Sequence, residues 1–296
     1  MGTITKWFRA SWYAHVIIYW RVWKFSRKVD IRNADETLDY ILNHRVSVSR
    51  FGDGEIDVIA GRGNGMQVPN KALGERLVEV LHSNMDNHIV CLPYAWKNLC
   101  GMNSSAKAFF RWFVSDNYML LKEHISVDKK YYNASFTRFY IDFRDKSHVG
   151  EYVRKMVGLW KGRDVYIIEG YGTNFGINND LLQNVNSVYR ILCPSSNAFD
   201  KYDAIINKSL SVVPKRDNTL ILCALGMTAT VLAYDLAKEG YQTIDIGHAD
   251  IEYMWYKMGA KEKIPVKGKS VNEVGRNVDT KSEDSEYLKQ VIAQID

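Results

Sequence analysis

The sequence predicts an α/β protein, a Rossmann-like and mostly parallel sheet with helices on both faces, preceded by a basic aromatic N-terminal helix. Three observations carry the prediction. From Ser147 onward, apolar runs such as "DVYIIEG", "VYRILCP" and "NTLILCALG" alternate with amphipathic stretches, the pattern of parallel strands joined by crossover helices. A chain of 296 residues, 46% hydrophobic and 25% charged, is long enough to bury one large core and has the composition of a folded globular protein. The four cysteines lack CxxC spacing, and Cys91, Cys193 and Cys223 sit inside apolar runs. They read as small buried hydrophobes in a reducing compartment, which points to the cytoplasm.

The formal charge of +5 is unevenly placed. Six of the 39 bases (Lys6, Arg9, Arg21, Lys24, Arg27 and Lys28) fall in residues 1–29, which hold no acid, so the body carries fewer bases than its 34 acids. The near-neutral body shows no basic patch in its sequence, so no nucleic-acid partner is expected. The arm is rich in aromatics, and its longest uncharged stretch runs only from Ala10 to Trp20. Crossing a bilayer takes about 20 apolar residues, and the arm lacks the cleavage site of a signal peptide. Tryptophans interleaved with bases suit the membrane–water interface, here the inner face of the plasma membrane. Packing on the protein's own body, or on a second subunit of a homo-oligomer, is the alternative.

Next comes "NADETLDYILNHR", a helix capped by Asn33, with Glu36 completing a capping box and Leu38, Ile41 and Leu42 facing inward. "VSVSRF" is a strand. "KALGERLVEVLHSNM" spaces Leu73, Leu77 and Leu81 as a helix does. "HIVCLP" is a buried strand, and residues 104–125 form one long helix through Phe109, Trp112, Phe113 and Leu120. "SFTRFYIDF" is a strand or an extended loop. "SHVGEYVRKMVGLWKG" is a helix closed by Gly162, and "NNDLLQNV" a short helix. "AFDKYDAIINKSL" and "TATVLAYDLAKEG" are further helices, and "YQTIDIGH" is the last strand. This divides the chain into an arm (1–29), one α/β domain (30–260) and a polar tail (261–296). A single helix at 284–295 is expected in the tail, which wraps the surface or frays.

Ligands of open parallel sheets bind beyond the carboxyl ends of the strands, where five loops draw attention. "SVSRFGDGEID" sets Asp53 and Glu55 just after a strand. The pair can grip a divalent ion such as Mn2+ or Mg2+ against a substrate diphosphate, or Asp-Gly can simply turn a hairpin. Arg50 can add a bidentate phosphate contact. "EGYGTNFG" reads GxGxxxG, one residue longer than the dinucleotide fingerprint, and no acid follows the next strand, which disfavours a nicotinamide enzyme. Gly226 and Thr228 open a helix whose free N–H groups suit phosphate. Ser195, Ser196 and Asn197 can touch a base or ribose, or cap a helix. His248, Asp250 and Glu252 crowd the end of the last strand, where a carboxylate can act as general base.

Together "SRFGDGE", "FTRFYIDF", "CPSSNAFDKYDAI" and "DIGHADIEYMW" resemble the bacterial glycosyltransferases of the GT-D fold, first grouped as a domain of unknown function, across residues 33–260. The resemblance implies metal-dependent transfer of a hexose from a nucleotide sugar, usually a uridine one, to a glycoprotein or cell-surface glycan. It maps the D-x-E metal motif onto Asp53, Gly54 and Glu55, and a donor-binding arginine onto Arg138. Asp250 and Glu252 are the candidates for the catalytic base, with His248 structural. A metal-dependent nucleotide-diphosphate phosphohydrolase and a non-catalytic membrane-surface protein are the rival readings.

Overall fold

The structure, a computed structural model, describes residues 20–271, 274–275 and 284–296. Residues 1–19 of the expected arm helix lie outside them. Among the described residues nine strands join one sheet in the order β1-β4-β3-β2-β8-β7-β5-β6-β9, and every pairing within it is parallel. These are β1 (Asp30–Ile31), β2 (Ser47–Arg50), β3 (His88–Leu92), β4 (Lys130–Asn133), β5 (Asp164–Gly170), β6 (Ser187–Cys193), β7 (Thr219–Ala224), β8 (Thr243–Asp245) and β9 (Val291–Gln294).

The first four strands in space come from the first half of the chain and the other five from the second. The halves meet where Val48 of β2 pairs with Ile244 of β8. Ser47 fastens this seam, its hydroxyl donating to the Tyr241 carbonyl and accepting from the Thr243 N–H, each at 2.9 Å. From the seam the chain runs on in opposite directions, β2 toward β3 and β8 toward β9. Such a switch point opens a crevice at the carboxyl edge of the strands.

One face of the sheet is covered by α1 (Ala34–His44), α6 (Val149–Val157) and α9 (Ala249–Lys257). The other is covered by α2 (Asp53–Ile59), α3 (Lys71–Leu81), α4 (Ser104–Asp116), α5 (Tyr118–His124), α7 (Tyr202–Val212) and α8 (Met227–Lys238). Strand residues alternate between the two: Ile167 and Leu222 join Leu38, Val153 and Trp255 on the first face, while Ile168 and Ile221 join Ile205 and Leu232 on the second. The α1 capping box forms as the sequence predicts, with Asn33 accepting from the Glu36 N–H at 3.0 Å and Glu36 from the Asn33 N–H at 2.9 Å. Cys91, Cys193 and Cys223 are buried and free, and Cys100 is exposed.

Elsewhere the structure departs from the reading. The long helix over 104–125 breaks at Asn117, whose side chain donates back to the Phe113 carbonyl at 2.9 Å and accepts from Arg62 at 2.5 Å; a buried amide with such partners competes with the helical ladder. "SFTRFYIDF" is neither strand nor plain loop: β4 lies upstream, and residues 134–137 turn as a 3-10 helix. Helix α6 stops at Val157, short of Gly162. "NNDLLQNV" forms turns, because Asn179 and Asp180 bond Asp250 and Tyr253 of α9 at 2.7 and 2.6 Å. The expected surface tail instead supplies α10 (Ser285–Gln290), with Tyr287 buried, and then edge strand β9 against β6.

Candidate active site

The turn from β2 into α2 builds the first part of the site. Gly52 is the cap, and Glu55, the third residue of the helix, folds back so that Oε2 accepts the Gly52 N–H at 2.7 Å. Asp53 therefore opens a helix rather than a hairpin turn. Side chains two apart on a helix do not share a face. Glu55 turns inward, while Asp53 is exposed and bonds no side chain among the described residues. Inside, Glu55 Oε1 lies 3.5 Å from the Thr230 hydroxyl of α8, which donates to the Arg50 carbonyl at 3.0 Å and stands 3.4 Å from Asp245 Oδ2.

Asp245, at the end of β8, is 2% exposed and meets Arg50 at the end of β2. Arg50 Nη2 and Nε donate to its Oδ1 at 2.9 and 3.2 Å, and Nε also reaches the Asp245 carbonyl at 2.9 Å. Arg50 Nη1 donates to the Thr137 hydroxyl at 2.8 Å and the Ala134 carbonyl at 3.3 Å. The guanidinium fork is thus committed to protein oxygens, and the bidentate phosphate contact expected of Arg50 gives way to a positioning role. The buried Asp245 charge requires this partner. Gly247 makes room for it: with φ at +46°, a Cβ there would stand 1.7 Å from Arg50 Nη2. Gly247→Ala is expected to displace Arg50 and lower stability by about 1–3 kcal/mol, read as a fall in the denaturant midpoint.

Arg50 thus pairs with Asp245 and acts on Glu55 only through its charge. Burial, and then the Asp245 charge, push Glu55 up to about 7 against the pull of the Gly52 N–H and Arg50. Asp245 is also raised by burial, with Arg50 opposing. Burial is the larger cause in both, so each carboxyl is held toward its neutral form mainly by exclusion from water.

Arg138 lies on the same rim, its Nη2 3.0 Å from His248 Nδ1, one residue beyond the Thr137 that touches Arg50. Glu252 accepts the Tyr140 and Ile141 N–H groups at 2.8 and 3.0 Å through Oε2, while Oε1 is buried without a hydrogen-bond partner. Burial raises Glu252 to about 7, with Arg138 opposing. It is closed to solvent, so it holds the 138–141 segment rather than facing an acceptor. Asp250 is likewise spent. Oδ2 pairs with buried Lys269 at 2.5 Å, and Oδ1 takes the Gly176 N–H at 3.0 Å and the Asn179 amide at 2.7 Å. Asp250 is 2% exposed and both its oxygens have protein partners, so the two base candidates act as structural anchors.

On the next strand, α8 starts after Gly226 (φ +55°) with no side-chain cap, as a phosphate site would. Thr228 is buried, however, and Met66 stands over Gly226, its Cε 2.9 Å from where a Cβ would lie. Asn197, in the left-handed conformation, holds that cover: its N–H donates to the Met66 carbonyl at 2.8 Å and its Oδ1 accepts the Val68 N–H at 2.9 Å. Ser195 is half-buried beside Gly170 at the end of β6. The structure thus joins Arg50, Asp53, Glu55 and Arg138 on one rim, sets Gly226, Thr228, Ser195 and Asn197 along the neighbouring strand ends, and removes Asp250 to a separate network.

Sequence reasoning missed Asp245, Thr230, Thr137 and Gly247. An acid closing an apolar strand is the signal that could have found Asp245, since a charge there is costly without a task or partner.

The residues present fit a divalent ion. Glu55 has an oxygen outside its cap bond, 3.5 Å from the Thr230 hydroxyl, and Asp53 has an exposed carboxylate on another face of the same turn, so one ion reaches both only if a side chain turns toward the other. Among the described residues no three His, Cys, Asp or Glu side chains are grouped to hold a metal. The ion would need oxygens from a substrate diphosphate to complete its shell.

The family profile for the glycosyltransferase GT-D fold matches residues 48–274. Glycosyltransferase GlyD of Streptococcus pneumoniae serotype 4 is 37% identical over 273 residues, covering 90% of this chain and 33% of that protein. The probable glycosyl transferase Gly of Streptococcus gordonii is 37% identical over 274 residues, covering 91% of this chain and 39% of that one. The chain thus spans little more than a third of the length of these curated relatives. A solved structure described as the highly conserved domain of unknown function 1792, with a distinct glycosyltransferase fold, superposes with a TM-score of 0.86 at 34% identity, covering 94% of this chain and all of that one.

Proposed function

The chain belongs to the glycosyltransferases of the GT-D fold, and from that premise we propose that it transfers a hexose from a uridine nucleotide sugar to a hydroxyl of a glycan or glycoprotein, with a divalent Mn2+ or Mg2+ ion. The observation that carries the reading is the Glu55 carboxylate at the β2–α2 turn, set against the Thr230–Asp245–Arg50 network at the sheet seam and within one turn of the exposed Asp53. When bound, the ion neutralises charge building on the departing nucleotide diphosphate. Asp53 and Glu55 hold it. Thr230 borders the inner side of Glu55, and Arg50 fixes Asp245 behind it. Arg138, steadied by His248 and by the Glu252-anchored segment, brings positive charge to the donor. The Gly226–Thr228 turn and the Ser195–Asn197 loop border the nucleotide, which requires Met66 to give way above Gly226. The reducing cytoplasm suits a chain with buried free thiols and an exposed Cys100.

A panel of nucleotide sugars tests this, scored for nucleotide release with Mn2+ or with chelator, and with or without a glycan acceptor. The expected result is one donor, turned over only with metal and faster with acceptor. Release that ignores the chelator, or phosphate release from a plain nucleoside diphosphate, overturns it.

A further inference from the structure

A second feature stands apart from the transfer site. Residues 20–26 are helical and lie along α4, with Val22 and Ser26 buried and Phe25 edge-on to Tyr118 at 6.1 Å. Between this helix, the 95–100 segment and α4 runs a groove of about 330 Å3. Lys97, Lys107 and Arg111 line it together with Trp23 and Trp96, and among the described residues no acid does. The indole N–H of Trp96 is buried without a hydrogen-bond partner. On the flanking helices large apolar side chains face outward: Trp20 and Trp23 from the first helix, with Trp23 lining the groove, and, outside the groove lining, Phe109 and Trp112 from α4 and Met119 from α5. Trp112 is 63% exposed and Met119 73%. Lys24 and Arg27 lie over the rings of Trp20 and Trp23 at 4.8 and 4.7 Å.

We propose that this face docks on an anionic phospholipid bilayer, with lipid phosphates in the Lys97–Lys107–Arg111 groove and the surrounding aromatics at headgroup depth. Exposed tryptophans beside a basic groove match the chemistry of that interface, where indoles sit among the headgroups and bases meet anionic lipid. Charge also decides against a second copy of the chain. A two-fold contact centred on the groove and the first helix sets bases against bases, whereas an anionic leaflet is complementary; the exposed Asp116 and Glu123 lie outside the groove, one turn beyond Trp112 and Met119. Among the described residues no helix is long and apolar enough to cross a membrane, so the contact is with the surface. The face begins beside the transfer site: Asn103, the cap of α4, bonds the Asp142 and Ile141 carbonyls at 2.9 and 3.0 Å, next to the segment that Glu252 anchors. Docking would bring that rim to membrane-borne acceptors.

Sedimentation of the full chain with phosphatidylcholine vesicles, with and without phosphatidylglycerol, tests the proposal. Wild type is expected to favour the anionic vesicles, and less so as salt rises. Each base near the surface changes binding by about fivefold, so Lys107→Gln with Arg111→Gln should lower it roughly 30-fold. Phe109→Ala with Trp112→Ala should weaken it as well, both double variants keeping the wild-type circular dichroism. Binding unchanged in both double variants, or equal on the two vesicle types, overturns the proposal. So does a wild-type dimer that Trp112→Ala dissolves without any loss of lipid binding.

Discussion

Glu55→Gln is expected to cut glycosyl transfer by about a hundredfold or more while making the metal-free protein more stable at neutral pH and above. Glutamine keeps the shape and can still accept the Gly52 N–H, so the start of α2 survives. What it removes is a carboxylate that burial and Asp245 together hold at about 7. The sign follows from proton counting. Between the ordinary value of 4.5 and about 7, the folded chain keeps a proton on Glu55 that the unfolded chain has released. The contribution of Glu55 to stability is therefore fully present below 4.5, is lost as pH rises through about 7, and changes no further above. Glu252, raised to about 7 as well, adds a slope in the same window, so Glu55→Gln should flatten the pH dependence without abolishing it. Metal binding runs the other way, because the ion takes the carboxylate and competes with the proton. Mn2+ should raise the melting temperature of the wild type more at pH 8 than at pH 6, and hardly at all in the variant. A variant that still gains stability from Mn2+ as the wild type does would remove Glu55 from the ion's shell.

What could be read from the sequence was local. The Asn33–Glu36 box, the leucine spacing of α3 and the apolar runs of β5, β6 and β7 each depend on residues a few positions apart, and each forms as read. The placement of Asp53 and Glu55 directly after a strand was visible too, because both adjoin the end of β2. What escaped depends on partners far along the chain. Arg50 looked like a free phosphate ligand because nothing nearby reveals Asp245, 195 residues on, as its partner. The helix through 104–125 breaks because Arg62 takes the Asn117 amide. Asp250 and Glu252 looked like bases because Lys269 and the Tyr140–Ile141 backbone were not in view. Buried charge can be suspected from sequence, but the partner that neutralises it is a product of the fold.

The largest loss of stability is expected from Arg190→Met. Arg190 is 1% exposed and Glu169 fully buried, and they pair at 2.5 Å. Arg190 also donates to the Phe175 carbonyl at 2.9 Å and to Gln290 at 2.7 Å, and it lies over the Tyr287 ring at 4.5 Å. Glu169 in turn accepts the Phe175 N–H at 2.8 Å and the Tyr287 hydroxyl at 3.1 Å. One ion pair thus ties the end of β5, the glycine-rich turn after it, and α10 to the sheet. Methionine fills much of the space but strands the Glu169 charge, and breaking a buried pair from one side costs about 3–5 kcal/mol. The double change Arg190→Met with Glu169→Gln should recover a good part of that loss, since no buried charge is then left unpaired. Hydrogen exchange separates the roles of the two components. If the ion pair holds the C-terminal segment, amides of residues 285–294 should exchange faster in Arg190→Met and remain fast in the double variant, because Gln290 and Tyr287 lose their cation in both. If those amides stay protected in both variants, the β9 ladder alone anchors the segment, and the ion pair serves only the turn after β5.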